Sequence, residues 1–504
     1  MKTVTLNRFD GGVADPRETS TNMCTSVRNF YPQKTKLTPY RDVETDVLGS
    51  GSLSDNRLTD ILKGTILNGA TPITSLFALG RVSYATDQNP KFYTKNGGVD
   101  VTTTWDVMTN GEGSGIGTVV ANSAIIYKGN LYCLADDGTN TKLVKHIYAT
   151  STLSVGTIGT SPTFSVVVPS KMFIHPKDNR LYMFSGYTMG VWDGSTLSTR
   201  AFGTDYNIVS ACPYGNNIII GMVAKDESHS VAGIWSGSTT SSELVDVVRW
   251  GDDALLVLEN IGDSVIGVSA MSIAGGSALA TQSAIVIREY NGGATRTVKK
   301  VESIGGSRVY AHKATRNDTL YFPMDVYLNG TRTKQVWAIS RGENGQWQVR
   351  PDRKVNNDTE ITTDDVTGLS SVGDYMWVAT TTGLMRTNDQ ALFTATSIYE
   401  TLINPSMEIG DRTKRKELKS ISVAKAHNTG NIGQLVLKYS VDGGQNWATI
   451  GTLASAGGNV LKATNESTGK AFEQAYDYMF RIESTLGAEI VELKYAYEIV
   501  NELI

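Results

Sequence analysis

The chain has 504 residues, with 46 Lys+Arg against 50 Asp+Glu, 50 Gly, 3 Cys and 5 His. That length predicts two or three domains, each able to bury its own core without disulfide staples. Charged residues are 19% of the chain and the net charge is −4, which excludes a disordered polyelectrolyte and the basic excess of a nucleic-acid-binding domain.

In chain order, the opening MKTVTLNRFDGG has one Lys and no apolar stretch, so no signal peptide is expected, and no apolar run is long enough to predict a membrane helix. Cys24, Cys133 and Cys212 are far apart and form no CxxC, which fits synthesis in a reducing cytoplasm. Residues 1–60, with scattered polar turns and Pro16, Pro32 and Pro39, read as an extended arm that gains order by packing on another domain or a neighbouring subunit.

Residues 61–405 read as short strands bounded by Gly, Asn and Asp, with almost no helical periodicity. A unit recurs in which a turn precedes a short aliphatic or aromatic strand. Its instances are Gly80-Arg81-Val82-Ser83-Tyr84, Gly129-Asn130-Leu131-Tyr132, Asp178-Asn179-Arg180-Leu181-Tyr182, Gly215-Asn216-Asn217-Ile218-Ile219, Asp318-Thr319-Leu320-Tyr321 and Gly373-Asp374-Tyr375-Met376-Trp377. Tyr84 to Tyr132 is 48 residues and Tyr132 to Tyr182 is 50; the 102 from Ile219 to Tyr321 leave room for a further copy around Ala284-Ile285-Val286-Ile287. Several units carry a later strand that ends in Trp and a Gly turn, as at Trp192 and Trp235, with Trp337 and Trp347 extending the theme. A spacing near 40–50 predicts four-stranded propeller blades, and about seven fit. The alternative is a pair of β-sandwiches with similar hairpins.

The run Asp411 to Lys419 is the densest basic stretch and reads as a solvated linker or, alternatively, a polyanion contact. From about 406 to 504 the strands alternate cleanly. Leu435, Leu437 and Tyr439 share a face; so do Tyr476, Tyr478, Phe480 and Ile482, and Val491, Leu493, Tyr495, Tyr497 and Ile499. This predicts a separate C-terminal β-sandwich. The fold class is therefore all-β: an N-terminal arm, a propeller and a sandwich.

The chemical motifs are few. Nucleotide loops, HExxH, GxSxG and EF-hand patterns are missing, and the glycines of 111–117 have the wrong spacing for GxGxxG. His146, His175, His229, His312 and His427 form no local metal pair and read as ordinary β-surface or blade histidines; Ser467-Thr468-Gly469-Lys470 matches SxxK but reads as a turn. No catalytic, cofactor-binding or metal residue is assigned, and no cofactor or enzyme activity is expected. Ser440-Val441-Asp442-Gly443-Gly444-Gln445-Asn446-Trp447 looks like the Asp-box of sialidases, a structural hairpin in which the carboxylate accepts backbone N–H bonds and the Trp packs beneath.

Two passages carry a further resemblance. Arg8-Phe9-Asp10-Gly11-Gly12, Arg28-Asn29-Phe30-Tyr31-Pro32 and Leu37-Thr38-Pro39 are similar to the N-termini of tailed-bacteriophage structural proteins. Lys414 to Ser422, with Leu435 to Gly444 and Trp447, resembles the C-terminal sandwich of phage tail nozzle or tail-hub proteins. The resemblance implies a virion tail component made in the host cytoplasm: a homo-hexameric ring below the head-to-tail adaptor, meeting tail fibres or spikes, with genomic DNA in transit and no sequence-specific binding. Closed rings use head-to-tail interfaces, and a charge-poor chain suits a conduit that must not hold phosphate. Two other readings are a receptor- or glycan-binding tail protein, using aromatics such as Tyr187, Trp192 or Trp235, and a glycoside hydrolase with paired carboxylates at the propeller centre.

Overall fold

The computed structural model describes residues 2–6, 26–28, 30–33, 36–39, 41–45, 57–81, 90–95, 105–112, 115–120, 123–148, 150–160, 172–237, 243–271, 284–302, 308–309, 312–328, 331–342, 345–354, 366–373, 375–380, 384–392, 397–403, 415–425, 434–442, 445–454, 460–464, 472, 474–476, 478–485 and 488–500. Cys24, Tyr84, His427 and the SxxK segment lie outside them. The chain divides into two compact units, residues 43–336 with 355–388, and residues 1–42 with 337–354 and 389–504.

Seven antiparallel sheets form a β-propeller. Blade 1 is the meander Arg57–Asn68, Thr71–Arg81, Pro90–Lys95 and Trp105–Glu112. Blade 2 opens with the short strands Thr118–Val119 and Ile125–Tyr127 and continues through Asn130–Asp136, Asn140–Ile147 and Ser151–Thr160. Blade 3 comprises Met172–Ile174, Leu181–Ser185, Thr188–Trp192 and Leu197–Ala201; blade 4 comprises Tyr206–Tyr214, Asn217–Ala224, Ser230–Trp235 and Asp246–Gly251. Blade 5 comprises Ala254–Ile261, Ser264–Met271, Ala284–Tyr290 and Thr295–Glu302. Blade 6 has Arg308–Val309 and Ala314–Arg316 on Thr319–Leu328, then Thr331–Arg341 and Trp347–Lys354. Blade 7 takes Val366–Val372, Tyr375–Thr380 and Leu384–Leu392 from one part of the chain and its outer strand, Arg41–Thr45, from the N-terminal segment.

The repeat seen in the sequence is the hairpin between the first and second strands of a blade. Each of these seven turns holds a residue of positive φ, from 45° at Lys128 to 75° at Gly129, and Gly, Asn and Asp, which tolerate that conformation best, recur there. Two assignments move. Gly80-Arg81 closes the second strand of blade 1, whose turn is Gly69-Ala70; Ala284-Val286 opens the third strand of blade 5, whose turn is Gly262-Asp263. The run at 284–287 passes for a second strand because the second and third strands of blade 5 are equally apolar and buried.

Period-2 alternation inside those apolar runs divides each blade between two neighbours. In Leu181-Tyr182-Met183-Phe184, Leu181 and Met183 join Tyr132, Leu134 and Leu143 of blade 2. Tyr182 and Phe184 join Ile208, Ile220 and Trp235 of blade 4. Blade 1 does likewise: Phe77 and Leu79 meet Leu131 and Cys133 of blade 2, whereas Leu76 and Ala78 meet Tyr375 and Trp377 of blade 7. The last contact closes the ring. At that seam the backbone of Gly368 abuts Thr59, since a Cβ on Gly368 would stand 1.8 Å from the Thr59 carbonyl oxygen.

The sandwich pairs two sheets around one core. One runs Phe30–Gln33, Lys36–Pro39, Ile490–Ile499, Lys416–Lys425 and Val460–Thr464, with Lys2–Leu6 also on Ile490–Ile499; the other runs Ser26–Arg28, Ser397–Ile403, Tyr478–Thr485, Gln434–Ser440 and Ala448–Leu453. Leu435, Leu437, Phe480, Ile482, Leu493, Tyr495 and Tyr497 are buried between them, as the alternation predicts. Tyr476 is not; it precedes the strand, is 47% exposed, and carries Arg415 over its ring.

Residues 1–60 are thus no simple arm: their described strands are shared among the sandwich, blade 7 and, from Arg57, blade 1, and the second sheet of the sandwich takes in residues before 406, from Ser397. Pairings across hundreds of residues leave no local pattern. The basic run is likewise no linker from Lys416 onward. There a strand begins, Lys416 is buried with its ammonium donating to the Tyr476 carbonyl, and Lys419 pairs with Glu417 at 2.8 Å and Glu498 at 3.4 Å. Asp411 to Lys414 lie outside the described residues.

Candidate functional site

First strands of neighbouring blades pack on one another, so their polar residues gather toward the propeller axis. In blades 1, 4, 5 and 7 these strands carry a bulge near the start, at Leu58/Asp60, Ile208/Ser210, Leu255/Val257 and Val366/Gly368. A bulge re-aims the side chains beside it. Ser210 of blade 4 accepts from Leu258 N–H of blade 5 at 3.0 Å, Ser370 of blade 7 accepts from Ile61 N–H of blade 1 at 2.9 Å, and Asp60 accepts from Ser123 N–H of blade 2 at 3.3 Å. Lys313 of blade 6 spans three blades: it pairs with Glu259 at 2.6 Å, donates to the Leu258 carbonyl, and donates to the Ala211 carbonyl at 3.3 Å. The two side chains are 9% and 17% exposed. This inner belt spends its charges on the protein itself.

A second belt ties the first-strand ends to the next blade's turn. Leu67 N–H donates to Gly129 O at 2.8 Å, Tyr127 hydroxyl to Asn179 O at 2.8 Å, His175 Nε2 to Asn217 O at 3.1 Å, and Arg316 to Gly373 O at 2.7 Å. The repeated turns therefore latch the blades. His175 belongs to that latch, and His312 Nε2 donates to Val366 O at 3.1 Å across the junction of blades 6 and 7.

The most varied surface chemistry lies at the opposite strand ends of blades 3 and 4. Two backbone bonds fix the loops: Ile208 N–H to Gly186 O at 2.6 Å and Lys225 N–H to Asp205 O at 3.0 Å. On them sit Tyr187, with the Lys225 ammonium 5.8 Å from its ring centre, and Tyr206, edge-on to His229 at 5.6 Å. Ser228 hydroxyl donates to Asp226 Oδ1 at 2.7 Å, so its oxygen accepts from His229 Nδ1–H at 2.9 Å, and His229 Nε2 accepts from Tyr206 hydroxyl at 2.9 Å. Ser228 holds the Asp226 carboxyl below its ordinary range through the hydroxyl and the backbone N–H; Arg249 does the same for Asp252. The bonds run in one chain from the Tyr206 phenol through the His229 imidazole and the Ser228 hydroxyl to the Asp226 carboxylate.

Trp192 and Trp235 are not available as exposed aromatics. They are 6% and 0% exposed, and Trp192 Nε1 donates to Tyr132 hydroxyl at 3.2 Å. Tyr187 alone of the three named aromatics reaches the surface, half-buried. In the sandwich hairpin, Asp442 accepts from Asn446 N–H at 3.0 Å, from Asn446 Nδ2 at 2.7 Å and from Ser440 hydroxyl at 2.6 Å. These bonds, Asn446's first, hold its pKa at about 2. Trp447 is half-buried with the Arg481 guanidinium 4.1 Å over its ring. Among the described residues no cluster of His, Cys, Asp and Glu is arranged to hold a metal. Sequence reading named neither Lys313–Glu259 nor the Tyr206–His229 chain, because each joins different hairpins and leaves no local spacing to find.

No protein-family model and no curated protein sequence matches the chain. Among solved structures it is similar to Kluyveromyces lactis Hsv2, at 8% identity and TM-score 0.36 over 70% of this chain and 95% of that one. It is also similar to BamB from Moraxella catarrhalis, at 13% identity and TM-score 0.37 over 72% and 98%. A third is the β-propeller domain of the Trilobed protease from Pyrococcus furiosus, at 9% identity and TM-score 0.37 over 68% and 95%.

Proposed function

We propose that this β-propeller chain is a non-enzymatic structural component of a tailed-phage particle, a tail nozzle or hub. Copies close into a six-fold ring below the head-to-tail adaptor, fibres or spikes attach to it, and DNA passes without being held. The observation that supports the reading most is the placement of the two passages that carry the phage resemblance. Strands from Ser26 to Pro39, at one end of the sequence, and strands from Lys416 to Ser440, near the other, belong to the same two sheets of the sandwich. One module thus holds the described parts of both, Arg8 to Gly12 lying outside the described residues. The inner belt also favours a scaffold, since Lys313 and Glu259 neutralise one another across blades.

Immuno-electron microscopy of purified particles tests this. Label at the tail, below the neck, is the expected result; particles that lack the chain, or carry it on the capsid surface, refute the proposal.

A further inference from the structure

The loop from Lys225 to His229 joins the second and third strands of blade 4, and the hydrogen of every bond in its chain can be placed. Ser228 Oγ stands 2.7 Å from Asp226 Oδ1, which also accepts the Ser228 N–H at 3.1 Å. A contact that short between two oxygens holds a hydrogen, and an ionised carboxylate has none to give, so the hydroxyl points at Asp226. The Ser228 oxygen is left to accept, and His229 Nδ1, 2.9 Å away, carries the hydrogen it accepts. A neutral imidazole has only one, so Nε2 is bare and takes its bond from the Tyr206 hydroxyl at 2.9 Å. Free histidine prefers the other tautomer; this loop imposes the rarer one. Between Asp226 and Ser228, Glu227 has a φ of 58°, a left-handed backbone that a long side chain rarely adopts, and strain of this kind gathers at functional sites.

Charged groups face the imidazole from several elements. Its own loop supplies Lys225, Asp226 and Glu227, and the segment before the first strand supplies Asp205, whose carbonyl accepts from Lys225 N–H at 3.0 Å. The outer strand supplies Arg249, and the junction with blade 5 supplies Asp252, to which Arg249 donates. After Ser228, His229 helps to hold the Asp226 carboxyl below its ordinary range, and after Arg249 it does so for Asp252, so both carboxylates feel the ring. A second proton can land only on the bare Nε2. Once it is there both ring nitrogens donate, the Tyr206 oxygen must accept, and its own hydrogen swings away from the ring. The bond between them keeps its partners and reverses its direction.

We propose that His229 and Tyr206 form a pH-sensitive switch: above the range in which imidazoles titrate, the half-buried Tyr206 hydroxyl donates inward, and below it the hydroxyl accepts from His229 and turns its hydrogen to the surface. NMR of the full chain, labelled with 15N-histidine and 13Cζ-tyrosine, tests it, His229→Gln and Tyr206→Phe identifying the two signals. At about pH 8 His229 is expected to carry its hydrogen on Nδ1, with Nε2 bare. As the pH falls, the Tyr206 Cζ signal is expected to move with the same midpoint as the His229 nitrogens. Ser228→Ala, at an exposed position, removes the acceptor that fixes the Nδ1 hydrogen. The neutral ring then returns to the Nε2–H form, Tyr206 accepts at every pH, and most of the Cζ step is lost. A neutral His229 with its hydrogen on Nε2 in the unaltered chain, a Tyr206 signal that ignores the His229 titration, or a step undiminished in Ser228→Ala overturns the switch; if that variant does not fold, the two readings in the unaltered chain decide.

Discussion

Substituting Gly368 by Ala tests the closure of the ring where blade 7 meets blade 1. The added Cβ would stand 1.8 Å from the Thr59 carbonyl oxygen and 2.7 Å from its carbon, against a practical lower limit of 3.0 Å, so the strands must part by about 1.2 Å. The obstacle is backbone in a bulged, buried strand, which cannot swing aside as a side chain does. Overpacking usually costs 1–3 kcal/mol, and an immobile neighbour puts this substitution at the upper end, about 3 kcal/mol. At roughly 2 °C per kcal/mol for a large domain, Tm should fall by about 6 °C. Gly293→Ala is the matched control: that Cβ meets nothing within 4 Å, and the change should stay within about 0.5 kcal/mol. Differential scanning fluorimetry with urea titration reads both variants. If they melt together with the unaltered chain, Gly368 is not pressed against Thr59 and the ring does not close through this contact.

Glu259→Gln takes the carboxylate from beside the largely buried Lys313 ammonium and should cost about 3 kcal/mol, whereas the double variant Lys313→Met/Glu259→Gln should cost at least about 1 kcal/mol less than the two single changes added together; strict additivity in urea unfolding would contradict the pairing. The folded Asp442 pKa of about 2 lies below the unstructured value near 3.9, so its contribution to the hairpin is present above pH ~4 and is lost as pH falls toward 2; an NMR carboxyl titration with a midpoint near 4 would refute it. Cys133 and Cys212 are buried and burial raises both thiol pKa values, so a Cys24→Ser variant should take up iodoacetamide by intact mass only after denaturation; labelling of the native form would contradict their placement.

What the sequence made legible was local. A turn such as Lys128-Gly129 needs positive φ, and that requirement writes Gly, Asn or Asp at each first hairpin, from which the blades follow. The sandwich strands were equally readable, because Leu493, Tyr495 and Tyr497 alternate against charged neighbours. Tyr476 extended the pattern one step too far, since alternation carries no marker for where a strand begins. Long-range pairing was invisible: nothing in Arg41–Thr45 announces an outer strand of blade 7, and nothing in Lys2–Leu6 announces a partner near residue 495. The aromatic surface was misjudged for a related reason. Trp192 and Trp235 each end a third strand beside a Gly turn, a position that faces solvent in an isolated hairpin and the preceding blade in this propeller, where Trp192 bonds Tyr132 of blade 2 and Trp235 meets Tyr182 of blade 3.

The proposed ring is most directly tested by mass photometry of the purified chain, alone and mixed with the portal–adaptor complex of the particle that carries it. The account predicts a closed hexamer, or six copies added to the adaptor. A monomer that ignores the adaptor at every concentration tested would contradict it.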